Sequence, residues 1–158
     1  MRNRLAAFLR GFVYAGRGIW YCLRRERNFR IHLTVGAYVL LFAGYFPLTR
    51  SEWAVLLLTL GLVPTAEAIN TAIEKAVDTA TSERRETARI AKDAAAGAVL
   101  LAALAAVAVG AALFWRPAVF AEIAADFLAY PQKPLLLALS LPVAFWFAFR
   151  NAPPKNNV

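Results

Sequence analysis

Trp53-Ala-Val-Leu-Leu-Leu-Thr-Leu-Gly-Leu-Val-Pro-Thr-Ala-Glu67-Ala-Ile-Asn70-Thr-Ala-Ile-Glu74-Lys-Ala-Val-Asp78 joins fourteen uncharged residues directly to a series of carboxylates. A helix needs about 20 residues to cross the hydrocarbon of a bilayer, so this stretch reads as a membrane span with Glu67 and Asn70 at membrane depth. Glu67, Asn70, Glu74 and Asp78 follow at steps of 3, 4 and 4 residues. At ~100° per residue they fall within roughly 80° of one another, on one face of the helix. A charge inside the hydrocarbon costs ~2.5–3.5 kcal/mol, which makes an intramembrane carboxylate a candidate functional site. Solvated charges at a helix end would account for Asp78 alone, but not for a whole polar stripe.

The remaining composition agrees with a small polytopic membrane protein. The 158 residues are 60% hydrophobic, with a mean hydropathy of +0.51. The net charge of +8 is unevenly spread, since the first 30 residues hold eight arginines and the single acid Glu26. Such segments stay on the cytoplasmic side and are drawn to anionic headgroups. No basic patch interleaved with aromatics is present, which favours a membrane partner over nucleic acid. Cys22 stands alone, excluding an internal disulfide and a cysteine metal cluster, and reads as an apolar filler.

Working outward toward the N-terminus, Leu5, Phe8, Leu9, Phe12, Ile19, Trp20 and Leu23 recur at helical spacing, with Arg10, Arg17 and Arg24 on another face. This predicts an amphipathic helix over about 5–25, lying on the membrane. A signal peptide is the competing reading, but Arg10 interrupts its apolar region and no small-residue cleavage site follows. The apolar run 31–48 predicts a first span, with Glu26 at its cytoplasmic mouth, where local charge balance is the plainer explanation for that acid. His32 reads as a hydrogen-bonded interface residue rather than a metal ligand. Pro47–Glu52 predicts a tight external turn, with Trp53 as an interfacial anchor before a second span over about 53–77. Within that span Pro64 frees a backbone carbonyl one turn before Glu67.

Toward the C-terminus, Thr79–Lys92 is polar with a positive excess, and Ser82 followed by Glu83 and Glu86 predicts a helix start. Ala94–Trp115 predicts a third span whose Gly97 and Gly110 invite close helix approach. Lys92-Asp93 stands at its entrance, where an ordinary helix-end ion pair is the plainer explanation. Arg116–Pro134 is mixed and nearly neutral. Leu135–Phe149 is apolar for 15 residues and interrupted by Pro142. It reads as a short fourth span or an interfacial segment, and the span is favoured. Residues 151–158 read as disordered. The expected fold is all-α and membrane-integral, with one unit over 1–115 and an extension over 116–158.

No phosphate-cradling glycine loop, zinc-binding H-E-x-x-H or serine elbow occurs, so the acids must carry any chemistry. Glu26, Glu74, Asp78 and Asp93 map to the basic cytoplasmic surface, a mixture suited to Mg²⁺ with a polyphosphate. Glu67 lies deeper, where low dielectric raises a carboxylate's proton affinity and suits a general base acting on a lipid hydroxyl. These residues point to a membrane-embedded phosphotransferase. A small transporter or proton relay would also use Glu67 and Asn70, but has no need of the outer ring of Glu26, Glu74, Lys92 and Asp93. A structural scaffold is disfavoured by the cost of burying Glu67.

Glu67-Ala-Ile-Asn70-Thr-Ala-Ile-Glu74-x-x-Val-Asp78 resembles the signature of the prokaryotic diacylglycerol kinase and undecaprenol kinase family. Glu26-Arg-Asn-Phe-Arg-Ile-His32 and Ile90-Ala-Lys92-Asp93-x-Ala-Ala-Gly97-Ala-Val-Leu extend the resemblance over about residues 10–115. The resemblance implies a homotrimeric, multi-pass lipid kinase of the bacterial inner membrane, with an interfacial helix and three spans per chain. Its active sites would be shared between subunits, facing cytoplasmic ATP and Mg²⁺. It implies Glu67 as general base at the lipid alcohol and Glu26 and Glu74 as metal ligands. Asn70, Asp78, Lys92, Asp93 and Tyr14 would lie at or near the nucleotide. Arg84-Arg85 stands where many relatives carry Tyr-His, and residues 116–158 lie beyond the usual family end. E-R-N-F-R-I-H and S-E-W-A-V-L-L-L resemble the undecaprenol branch more than the diacylglycerol branch.

Overall fold

In a computed structural model of the chain, residues 2–81, 83 and 85–151 are described, apart from the side chains of residues 2 and 3. Six helices follow one another: α1 (Arg2–Arg25), α2 (Arg27–Ala43), α3 (Arg50–Ala80), α4 (Glu86–Phe114), α5 (Pro117–Ala129) and α6 (Gln132–Phe149). Three of them, α3, α4 and α6, are long and apolar enough to cross a membrane. The architecture is that of an all-α integral membrane protein.

Helices stand where the spans were predicted, with shifted ends, although α2, at 17 residues, is not among the three long and apolar enough to cross. The first, expected over 31–48, is α2 and runs 27–43, because Arg27–Arg30 join the helix and Gly44 ends it. Turn bonds from Tyr45 to Phe42 and from Phe46 to Ala43 then precede Pro47, which disfavours helical geometry in the residue before it. The second and third spans are extended at their polar ends, to Ala80 and back to Glu86, since good helix formers continue the hydrogen-bond ladder past the apolar run. Ser82, the expected start of the third, lies outside the described residues, and α4 begins at Glu86 behind Arg85. Pro64 and Pro142 both sit inside continuous helices. The stretch 116–134, read as mixed sequence, contains α5, which starts with Pro117 in the first turn, where its missing N–H is harmless.

Thr49 begins α3 with a capping box: its hydroxyl accepts from Glu52 N–H while the Glu52 carboxylate accepts from Thr49 N–H. Glu52 also holds Arg116, whose guanidinium donates to the Pro47 carbonyl as well. The α4–α5 corner is thereby clasped to the α2–α3 turn. Ala43, Leu56 and Leu113 form the buried core at this end, surrounded by Val39, Trp53, Leu60 and Phe114. Leu56 precedes Glu67 by eleven residues, about 16 Å along the helix, so this apolar cluster lies at the end opposite the acids.

α3 and α4 form the closest helix pair, α2 packs on α3, and α6 packs on α2. Ala95, Val99 and Ala102 are buried on α4. The close approach expected through Gly97 and Gly110 does not occur among the described residues, where no neighbouring helix lies within 4 Å of where their Cβ atoms would stand. α6 runs antiparallel to α2 over its whole length. At one end Tyr45 donates to Asp126, which Lys133 also engages; midway Tyr38 bonds Ser140 at 2.8 Å. At the other end Arg30, 1% exposed, donates to the Arg150 carbonyl at 2.7 Å and to the carbonyls of Leu23 and Arg24. One buried guanidinium therefore joins the ends of α1 and α6 to the start of α2.

Candidate active site

Glu67 lies on the α2-facing side of α3 and is 4% exposed. The i+4 spacing that stacks residues on one helix face brings Thr71, also buried, directly beside it. From α2 the Nε2 of His32 approaches Glu67 Oε1 to 3.5 Å, and the Asn28 side chain lies within hydrogen-bonding reach of the same carboxylate. Asn28 and His32 are themselves one turn apart, so the first two turns of α2 supply both polar neighbours.

Glu26 is the single extended residue between α1 and α2, with φ −99° and ψ 112°, and its side chain makes no capping bond. Its half-buried carboxylate and that of Glu74 both lie within electrostatic range of Glu67. The Asn70 amide donates to Glu74 Oε1 at 3.0 Å, while its own oxygen is buried with no hydrogen-bond partner among the described residues. Cys22 closes the cluster from α1, with its thiol against Thr71. Burial, with help from the charges of Glu26 and Glu67, raises the pKa of that thiol above its ordinary value.

Further along α3 the arrangement changes. Asp78 is exposed and receives Lys92 Nζ from α4. Asp93 instead pairs with Arg89 at 2.7 Å, so Lys92 and Asp93 do not form the helix-end ion pair with each other that their adjacency invites. Asp78, Lys92, Arg89, Arg85 and Glu86 line a polar cleft of about 450 Å³ between the end of α3 and the start of α4. Arg84 lies outside the described residues. Tyr14 stands apart from both groups, 61% exposed on α1 with the Arg17 guanidinium over its ring.

Two places thus emerge: a shielded carboxylate cluster around Glu67 and a charged cleft around Asp78 and Lys92. Glu74 links them, being bonded to Asn70 on one side and within electrostatic range of Lys92 on the other. Such a pairing can hold a polyphosphate in water and a hydroxyl in lipid at successive depths along one helix. The description of prokaryotic diacylglycerol kinase fits residues 13–114, which covers both places. The chain belongs to that family. It is a lipid kinase of the membrane, with a lipid acceptor and ATP as phosphoryl donor.

Among its relatives, the undecaprenol kinase of Bacillus subtilis (strain 168) is 42% identical over 113 residues, 72% of this chain and 92% of that protein. A diacylglycerol kinase of Synechocystis sp. is 49% identical over 107 residues, 67% of this chain and 61% of that protein. The family match of this lipid kinase ends at the last residue of α4, leaving α5 and α6 outside it. His32, Asn28 and Thr71 are the neighbours of Glu67 that sequence reasoning did not gather. Thr71 was legible from its i+4 spacing, whereas the other two depend on how α2 docks.

Proposed function

We propose that the chain is an undecaprenol kinase, transferring the ATP γ-phosphoryl group to the terminal hydroxyl of a polyprenyl alcohol. The observation that carries the reading is Glu67, a carboxylate 4% exposed beside His32 and at the head of an apolar groove between α2, α3 and α4. Glu67 accepts the proton of the lipid hydroxyl, whose oxygen forms the new bond to the γ-phosphorus as the bond to ADP breaks. Asn28 and His32 hold the carboxylate in place.

Glu26 and Glu74 are suited to Mg²⁺, a cation that takes one or two protein carboxylates and completes its shell with water and substrate phosphates. The residues present fit that ion: neither acid has an arginine or lysine ion pair among the described residues, and the unpartnered Asn70 oxygen adds a hard donor nearby. When bound, Mg²⁺ would neutralise charge developing on the transferred group. Lys92, Asp78 and Asp93 lie on the nucleotide side, with the polar cleft as the place for phosphates. Tyr14, exposed on α1, is assigned to the nucleotide of a neighbouring subunit in a homotrimer that shares its sites. The kinase unit is 1–115, and 116–158 is an extension. The basic segments before residue 31 and over 75–92 support a reading with the N-terminus and active site on the cytoplasmic face of the bacterial inner membrane.

The match to the Bacillus protein extends over nearly its whole length, which favours undecaprenol. The 49% identity to the Synechocystis protein supports diacylglycerol as the second reading. Purified protein given radiolabelled ATP and either undecaprenol or dioleoylglycerol decides between them. Faster transfer to undecaprenol is expected; preference for dioleoylglycerol reverses the assignment.

A further inference from the structure

Glu26 and Arg30 stand four residues apart with the acid on the N-terminal side, the spacing and order that favour an ion pair along a helix. Arg30 is buried with Glu26 in electrostatic range, yet the two form no ion pair among the described residues. The guanidinium is held by carbonyl oxygens instead. Its Nη2 donates to the Arg150 oxygen at 2.7 Å, and its Nη1 to those of Leu23 and Arg24 at 3.4 and 3.3 Å. Its Nε has no partner among the described residues.

These oxygens belong to the ends of two helices, α1 supplying Leu23 and Arg24 and α6 supplying Arg150, the residue that closes it. The last carbonyls of a helix lack an intrahelical donor and carry the negative end of its dipole, so a cation is stabilised there. The bond from α6 is the shortest of the three, and the other two are long for hydrogen bonds. An arginine binds a carboxylate more strongly than a carbonyl, so one helix end by two long bonds holds it poorly against a nearby acid. Without the Arg150 oxygen, the guanidinium keeps only those two bonds and Glu26 is the acid in range.

We propose that the Arg150 carbonyl is a positioning group for the metal site: by holding Arg30 at the end of α6 it keeps the guanidinium off Glu26 and leaves that carboxylate open to Mg²⁺. The inference rests on Glu26 as a metal ligand, proposed above. It gives α6, which lies outside the family match, a part in the kinase reaction. An ion pair between Arg30 and Glu26 would occupy the oxygens the ion needs and fix a positive charge beside it.

The test moves the end of α6 and then removes the cation. Ala148, 4% exposed and close before Arg150, is replaced by Leu in the full-length protein, since a bulkier side chain in a filled site shifts the backbone that carries it. Mn²⁺ alone is the probe, its free EPR signal falling as it binds, and the Mg²⁺ half-saturation of phosphate transfer is measured beside it. Ale148→Leu is expected to weaken both about tenfold, the scale of losing a partner behind a metal ligand, and Ala148→Val to weaken them less. Adding Arg30→Met should return both to about the parent values, because no guanidinium is left to reach Glu26, whereas damage to packing alone is not repaired by a second substitution. Arg30→Gln, which keeps donors for the carbonyls without the charge, should rescue equally. Tyr38→Phe, which breaks the bond to Ser140 on the same seam, should leave metal binding unchanged.

Metal binding unaltered by Ala148→Leu overturns the proposal, as does a loss that neither Arg30→Met nor Arg30→Gln restores, or an equal loss in Tyr38→Phe. Glu26→Gln separates the proposal from the ligand reading. If Mn²⁺ binds that variant as it binds the parent, Glu26 is not a ligand and both fall; if Glu26→Gln weakens binding and Ala148→Leu does not, only the role of α6 falls.

Discussion

Replacing Glu67 by Gln separates chemistry from architecture at the centre of the site. Gln keeps the size of the side chain and one carbonyl oxygen, so it can still accept from Asn28 and face His32 across the 3.5 Å contact. What it cannot do is take a proton. Loss of a general base removes ~10²–10⁴-fold from turnover, or about 3–5 kcal/mol on the barrier. Stability should move the other way or not at all. The carboxylate is 4% exposed and within range of Glu26 and Glu74, so neutralising it relieves both a desolvation penalty and like-charge repulsion. The expected variant therefore melts at or above the parent temperature, elutes with the parent mass, binds nucleotide as the parent does, and turns over at least ~100-fold more slowly. The assay is single-turnover transfer of radiolabelled phosphate to lipid at saturating ATP, beside a melting curve in the same detergent. Turnover within threefold of the parent, about 0.7 kcal/mol, would refute Glu67 as the base. A large fall in melting temperature would refute the account of its burial.

Glu74→Gln deletes one candidate metal ligand but leaves Glu67; half-saturation by Mg²⁺ should rise by at least the ~10-fold that even outer-sphere partners are worth, and an unchanged Mg²⁺ titration removes Glu74 from that role. Cys22 should alkylate slowly at neutral pH, because a thiol whose pKa is raised holds less thiolate; reaction should quicken as pH climbs and in Glu26→Gln, whereas labelling at the rate of a free cysteine contradicts the buried placement. In a background lacking Cys22, a cysteine at Arg50 should react with an impermeant thiol reagent outside intact cells and one at Arg85 should not; the reverse pattern would separate the acids from cytoplasmic ATP.

The polar stripe on α3 was readable because helical spacing alone puts Glu67, Asn70, Glu74 and Asp78 together, and the Asn70–Glu74 bond follows directly from i+4 geometry. The exit point of each span was less readable. Hydropathy marks where apolar residues stop, not where the hydrogen-bond ladder stops, so α3 and α4 run past their apolar limits. His32 was visible as the lone imidazole at the start of a span, but its partner depended on the docking of α2 against α3. Lys92 finds Asp78 fourteen positions away because the hairpin register puts them opposite each other, which no local pattern encodes. α5 escaped notice for a different reason: Glu122 and Asp126 break its apolar run, and Asp126 is matched by Tyr45 and Lys133 from other elements.

The Arg30 clamp has a consequence for biogenesis. Its guanidinium and the Arg150 carbonyl are separated by 120 positions, so at ~5–20 residues per second a ribosome needs about 6–24 s between making one and making the other. α4 ends at Phe114, 36 positions before Arg150, so for about the last 2–7 s of that interval α2, α3 and α4 have all been made while the flank of α2 carrying Tyr38 and Arg30 has no α6 to cover it. A nascent chain stalled before α6 should present every proposed catalytic carboxylate with that flank of α2 bare, and completion of synthesis becomes the step that seals it.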